Sequence, residues 1–161
     1  MKIEFQVITA SEVTTSIKYS FADALKRQGK VQGDLSRKAD RCKLICIARI
    51  GGELVGIGAI KPATQSAFSA EKSALSRLRA EFNWELGYLF TDPAHAAKGI
   101  GKNIARLLVD EHGKENLMAS TEISANPRMV KILEALGFRH YGKSWKSAIH
   151  NNYLGLFLKF Q

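Results

Sequence analysis

Leu86-Gly87-Tyr88-Leu89-Phe90-Thr91-Asp92-Pro93 runs through Ala94-His95 into Ala96-Ala97-Lys98-Gly99-Ile100-Gly101, and then into Lys102 to Glu111. The apolar run from Leu86 to Phe90 reads as a strand, and Pro93 ends it. Ile100, Ile104, Leu107 and Leu108 recur at helical spacing, so the stretch from Gly99 to Glu111 reads as an amphipathic helix. Between them lies a glycine-spaced turn. A strand that feeds such a turn at a helix N-terminus presents unpaired N–H groups and the positive end of the helix dipole. Both favour phosphate. The arrangement speaks of what the protein holds before anything speaks of what it acts on.

Ile3, Phe5 and Val7 alternate with polar residues and give a first strand. Ser11 is the expected N-cap of a helix whose apolar face is Val13, Ile17, Phe21 and Leu25. Residues 26–43, rich in charge, are expected to hold a loop and a short second helix. Lys43 to Ile50 and Leu54 to Ile60 read as strands joined around Gly51-Gly52, a hairpin signal. Residues 62–83 form a long excursion, helical over Glu71 to Glu81, and a candidate substrate-side flap. Trp84 to Thr91 is the fourth strand and Leu117 to Ile123 the fifth. Pro127 suits a helix first turn, Met129, Ile132, Leu133 and Leu136 form its apolar face, and Gly137 is its C-cap. Phe138 to Lys143 and Tyr153 to Phe160 are the last strands. Helices interleaved with strands indicate one mixed α/β domain over residues 1–161.

The chain carries 24 Lys and Arg against 15 Asp and Glu, a formal charge of +9. The excess is greater in residues 1–83, with 14 bases against 8 acids, than in residues 84–161, with 10 against 7. A basic surface favours anionic partners. No apolar run reaches the roughly 20 residues of a membrane span, and the start Met1-Lys2-Ile3-Glu4-Phe5 lacks the pattern of a signal peptide. A cytoplasmic protein with no membrane partner is the expectation. Cys42 and Cys46, read as lying in one strand, are about 13 Å apart at a ~3.3 Å rise and cannot bridge to each other. His95, His112, His140 and His150 show no ligand spacing, so no metal is expected.

The order strand-helix-helix-strand-strand-strand-helix-strand-helix-strand-strand resembles the GNAT superfamily of N-acetyltransferases. Two segments carry the likeness: the turn at 96–101, and the later Asn126 to Leu136-Gly137-Phe138. The family turn reads Arg/Gln-x-x-Gly-x-Gly/Ala after a strand and a proline. Pro93, Lys98, Gly99, Ile100 and Gly101 fit it, while Ala96 stands in the Arg/Gln place. Main-chain N–H groups carry most of the grip, so alanine implies weaker coenzyme binding. A dinucleotide-binding turn would need a third glycine where Ile104 stands, and the Walker pattern is absent.

The resemblance implies a GNAT-like α/β (α+β) fold. Its sheet is mixed and mostly antiparallel, with six to seven strands, about four helices, and a splay at strands 4 and 5. It implies acetyl-CoA as cosubstrate. Main-chain groups from Ala96 and Ala97 through Lys98, Gly99, Ile100 and Gly101 to Lys102 would cradle the pyrophosphate, and Lys98 and Lys102 would add positive charge. Phe90 and Thr91 would offer edge-strand groups to the pantetheine arm, which Asn126 would also contact.

Acetyl transfer to an amine needs a base, an oxyanion donor and a proton for the leaving thiolate. Glu85, eleven residues before Ala96 and flanked by Trp84, Leu86 and Tyr88, is the candidate base; partial desolvation would raise its pKa. An N–H near Phe90 or Thr91 would hold the oxyanion. Many family members place a tyrosine acid where Leu133 stands here. Tyr141 is the substitute candidate, with Ser120 and Thr121 behind it, and water can also protonate a thiolate of pKa near 8.5. Trp145 between Lys143 and Lys146 reads as a sheet-edge loop as readily as a nucleic-acid contact.

The leading expectation is therefore an acetyl-CoA-dependent N-acetyltransferase working by direct attack. Its acceptor is a small-molecule or protein amine. Residues 26–43 and 71–81 are net basic, which tilts the acceptor toward one with negative charge. A noncatalytic acyl-CoA-binding or sensing module is the alternative, since Ala96 and Leu133 both depart toward lost activity. A nucleic-acid-binding protein on the same fold ranks last, because aromatics do not interleave with the bases. An exposed last strand leaves a homodimer open.

Overall fold

The computed structural model describes residues 2–31 and 33–161. In chain order they form β1 (Ile3–Thr9), α1 (Thr15–Gln28), β2 (Leu44–Ile50), β3 (Glu53–Pro62), β4 (Trp84–Thr91), α2 (Ile100–His112), β5 (Leu117–Glu122), α3 (Pro127–Ala135), β6 (Arg139–Lys146) and β7 (Tyr153–Lys159). The hydrogen-bonded strand order is β1-β2-β3-β4-β5-β7-β6; β4 pairs with β5 in parallel, and β1 with β2, β2 with β3, β5 with β7 and β6 with β7 are antiparallel. By packing the chain divides into two units, Met1–Lys61 with Leu86–Gly113, and Pro62–Glu85 with Lys114–Gln161.

In the first unit, Gly51 and Gly52 at φ 57° and 83° close the β2–β3 hairpin in the conformation that a two-residue turn requires. The N-cap of α1 is Thr14, whose Oγ1 accepts the Ile17 N–H at 3.2 Å. Ser11 lies instead in a 3-10 turn, Ala10–Glu12, closed by the Thr9 and Glu12 capping box. Residues 26–43 hold the end of α1 and two 3-10 turns, Leu35–Arg37 and Ala39–Arg41, in place of a second α-helix. Cys42 follows the second turn and precedes β2; only Cys46 is in the strand. Under α1, Phe21, Ala24 and Leu25 pack with Ile8, Ile45, Ile47, Ile57 and Ala59. On α2, Ile100 and Ile104 come so near β3 that a Cβ at Gly56 or Gly58 would stand 2.7 or 2.6 Å from their methyl groups. The two glycines let the helix lie close to the strand.

In the second unit, the β4–β5 ladder spans Trp84↔Leu117 and Glu85↔Met118 and ends there. The excursion at 62–83 is closed at its root by the Ala63 N–H donating to the Asn83 carbonyl at 2.9 Å. It contains the 3-10 turns Gln65–Phe68 and Ser76–Glu81, so the helix expected over Glu71 to Glu81 is present only as the second turn. Its middle is fastened to β6, where the Lys143 N–H donates to the Ser73 carbonyl at 2.9 Å. Trp145 belongs to β6, in no loop, and is buried with Phe68, Phe82, Met118, Leu156 and Leu158. That burial makes it a core residue.

Candidate functional site

In the first unit, β4 delivers the chain to Asp92, whose Oδ1 accepts the Ala94 N–H at 2.9 Å and caps the turn Pro93–His95. Ala97 and Gly99 follow in the left-handed region, at φ 62° and 76°. These reversals fold the chain back to start α2 at Ile100, one residue later than the periodicity predicts, with Gly99 as N-cap. Asn103 donates its N–H at 3.0 Å and its Nδ2 at 2.8 Å to the Gly99 carbonyl. The N–H groups of Ile100, Gly101 and Lys102 precede the first intrahelical bond and are available to an anion. The Thr91 Oγ1 would lie 3.5 Å from a Cβ at Gly101, so strand end and helix start adjoin. Ala96, Ala97, Lys98 and Lys102 are exposed, and the Lys98 ammonium donates to His95 Nδ1 at 3.0 Å. Phe90, Thr91 and Ala96 through Lys102 thus form one continuous feature. Its donor set fits a pyrophosphate: main-chain N–H groups, a helix N-terminus and two lysines.

Sequence reasoning missed what holds this feature to α1. The Arg27 guanidinium meets the Asp92 carboxylate at 2.8 Å and lies over the Phe90 ring, 5.3 Å from its centroid. Gln28 Nε2 donates to the Leu89 carbonyl at 2.6 Å. The Ala94 N–H first, and the Arg27 hydrogen bond second, hold the Asp92 carboxyl below its ordinary range. It also missed Tyr88, at φ 57° inside a strand, where a residue with a large side chain is strained. The Lys61 ammonium lies over the Tyr88 ring, 5.4 Å from its centroid. The one available signal was Asp92-Pro93, a turn-capping pair; cross-strand neighbours leave no mark in local sequence.

In the second unit, Glu85 is buried at 8% exposure. Its Oε1 accepts the Thr64 N–H at 2.9 Å. The carboxylate therefore moors the root of the excursion. Asn126 is the N-cap of α3, its Oδ1 accepting the Met129 N–H at 3.2 Å. Tyr141 is on β6, exposed at 37%, its ring edge-on to Phe160 at 5.5 Å. His140 stacks on Phe157 at 5.3 Å. Leu133 is fully buried, so that position of α3 is apolar core. Cys42 and Cys46 are buried, and burial pushes both thiols up to about 12. Among the described residues, no group of three or more His, Cys, Asp and Glu is placed to hold a metal ion, and no helix is long and apolar enough to cross a membrane.

The model of the Acetyltransferase (GNAT) family matches residues 12–138. No curated protein matches the sequence. Solved structures share the fold. ElaA from Escherichia coli superposes with a TM-score of 0.71 at 12% identity, over 97% of this chain and 99% of that one. The ribosomal-protein-S18-alanine N-acetyltransferase from Escherichia coli gives 0.65 at 12% identity, over 97% and 93%. The yncA structure from Salmonella typhimurium, with its cofactor acetyl-CoA, gives 0.65 at 14%, over 98% and 93%.

Proposed function

We propose that this chain, which belongs to the Acetyltransferase (GNAT) family, moves an acetyl group from acetyl-CoA to an amine by direct attack, as a single catalytic domain over residues 1–161. The observation that carries this reading is the turn between β4 and α2. Left-handed Ala97 and Gly99 lead there to the N–H groups of Ile100, Gly101 and Lys102, with Lys98 and Lys102 alongside. Three donors and the helix dipole suit a diphosphate better than any neutral ligand.

In this reading the turn holds the coenzyme's pyrophosphate, with the main chain of Ala96 and Ala97 in the cradle. The main chain of Phe90 and Thr91 and the Nδ2 of Asn126 meet the pantetheine arm. Acetyl-CoA supplies an activated acyl carbon. Glu85 takes the proton of the attacking amine, directly or through water; its burial strengthens every charge interaction it makes. A main-chain N–H near Phe90 or Thr91 receives the oxyanion. Tyr141 protonates the leaving thiolate, its exposure allowing exchange with solvent. The two unbridged cysteines suit a reducing cytoplasm.

The test is thermal unfolding with acetyl-CoA. At about a hundred times the dissociation constant, linkage adds about 2.7 kcal/mol to the folded state. The expected stabilisation disappears in Lys98→Glu and Gly99→Glu. No shift with acetyl-CoA, CoA or longer acyl-CoAs would overturn the reading. A shift without thiol release, whatever amine is offered, would leave a noncatalytic acyl-CoA-binding module. In an active enzyme, Tyr141→Phe is expected to lower kcat at unchanged coenzyme affinity.

A further inference from the structure

Gln28 is the last residue of α1, and its Nε2 donates to the Leu89 carbonyl of β4 at 2.6 Å. Leu89 lies past the β4–β5 ladder, whose pairs stop at Glu85↔Met118. A side-chain amide thus satisfies a main-chain group beyond the reach of that ladder. The bond is kept at a cost. Among the described residues the Gln28 Oε1 is buried and accepts no hydrogen bond, and an unsatisfied buried acceptor is destabilising. The residue before Leu89 is Tyr88, strained at φ 57°. Two local costs therefore meet at one point of β4. Strain of this kind persists where surrounding contacts over-determine the backbone, and it gathers at functional positions.

The strand fixes which way each main-chain group faces after Tyr88. The Asp92 N–H donates to the Val55 carbonyl of β3 at 2.8 Å, so Asp92 faces β3. Main-chain groups alternate sides along a strand with a period of two. Phe90 therefore faces β3 as well, and its carbonyl would lie 3.3 Å from a Cβ at Gly56 of that strand. Leu89 and Thr91 face the other way. On that side the Leu89 carbonyl is held by Gln28, and the next donor along the strand is the Thr91 N–H. The Phe90–Thr91 peptide thus lies between two anchored points, Leu89 on Gln28 and Asp92 on Val55.

We propose that Gln28 is a positioning residue of the coenzyme site: by pinning the Leu89 carbonyl, it aims the Thr91 N–H at the acyl oxygen of acetyl-CoA. The inference rests on the acetyl-transfer reading and selects Thr91 over Phe90 as the oxyanion donor. Gln28 itself touches no reacting atom. Without its amide the chain after the strained Tyr88 relaxes, and the Thr91 N–H swings out of line. The turn at 96–101 keeps its own hydrogen bonds, so the grip on the diphosphate is left as it was.

The experiment is calorimetric titration with three ligands: acetyl-CoA, S-ethyl-CoA, in which a methylene replaces the acyl carbonyl, and 3′-phospho-ADP, which has the diphosphate and no arm. The wild type should bind acetyl-CoA more tightly than S-ethyl-CoA by roughly threefold to tenfold, the worth of one hydrogen bond. In Gln28→Met, which keeps the length of the side chain and loses the donor, the two should bind alike. Binding of 3′-phospho-ADP should match that of the wild type. A second measurement needs no variant: in NMR spectra of the wild type, the Thr91 amide proton should move downfield with acetyl-CoA and not with S-ethyl-CoA. No discrimination by the wild type, a discrimination that survives Gln28→Met, a loss shared by 3′-phospho-ADP, or a shift at Phe90 in place of Thr91 would overturn the proposal. Failure of the wild type to bind both acetyl-CoA and 3′-phospho-ADP would overturn the acetyl-transfer reading itself.

Discussion

Arg27 and Asp92 join the last turn of α1 to the residue that caps the turn Pro93–His95 between β4 and α2, guanidinium to carboxylate at 2.8 Å. The pair is partly exposed, so its worth to global stability is small. Its leverage is geometric, because Asp92 fixes where the turn begins. Arg27→Ala and Asp92→Asn are expected to raise the KM for acetyl-CoA several-fold with kcat nearly unchanged. The Asp92 pKa is lowered on folding, first by the Ala94 N–H and then by Arg27. Its stabilising contribution is therefore present above the ordinary aspartate range, about 3.9, and is lost as the pH falls through the lower folded value. Melting temperature followed from pH 7 to pH 2 should fall less on acidification for Asp92→Asn than for the wild type.

Gly58 has no room for a side chain: a Cβ would sit 2.6 Å from Ile104 Cγ2 and 2.7 Å from Leu89 Cδ2. Gly58→Val should destabilise by about 1–3 kcal/mol, as overpacked cores do. It pushes α2 off β3 and carries the turn at 96–101 with it. Denaturant unfolding measures the first effect and acetyl-CoA titration the second; a variant as stable as the wild type would show that the helix has slack.

Glu85→Gln separates two jobs. Glutamine can still accept the Thr64 N–H through its carbonyl, but it cannot take a proton. If Glu85 is the base, kcat should drop by about 10²–10⁴ while acetyl-CoA binding stays intact. A loss of less than tenfold at every pH would reduce the carboxylate to the mooring seen at 2.9 Å.

Cys42 and Cys46 should be inert. Burial pushes both thiols up to about 12, and Cys42 Sγ donates to the Lys38 carbonyl at 3.3 Å. Neither is expected to react with a thiol reagent at pH 7.5 until the chain unfolds. Because the folded thiols hold their protons longer than unfolded ones, stability is expected to decline as the pH climbs from about 9 toward 12. Rapid labelling of either thiol in the native state would refute the burial assigned to it.

The sequence was legible where local pattern is strong. β4 begins and ends where its apolar run does, at Trp84 and Thr91, because Asp92-Pro93 stops it sharply. The Gly51-Gly52 hairpin and the start of α3 at Pro127 were equally readable, whereas the sixth strand, expected over Phe138 to Lys143, runs as β6 from Arg139 to Lys146 and takes in Trp145. Ser11 misled because Thr14, three residues on, caps as well and lies nearer the apolar face. The excursion at 62–83 was misread because 3-10 turns have no apolar period; backbone bonds from Ser73, Ala74 and Leu75 to residues 67–69 set its path. Within the site, the reversal at 96–101 could be read from the strand, proline and glycine spacing together, and Ala97 and Gly99 make it in the left-handed region before α2 begins. Lys61 on Tyr88 and Arg27 on Asp92 could not, because residues 27 and 65 positions apart meet only once strand register and helix docking are fixed.

The hydrogen bond from Thr64 to Glu85 gives the proposed chemistry a mechanical side. A carboxylate that takes up a proton becomes a poorer acceptor, since the charge assistance is gone. If Glu85 is the base, each proton it accepted would weaken its hold on the Thr64 N–H, which shares the closing of the root of residues 62–83 with the Ala63–Asn83 bond.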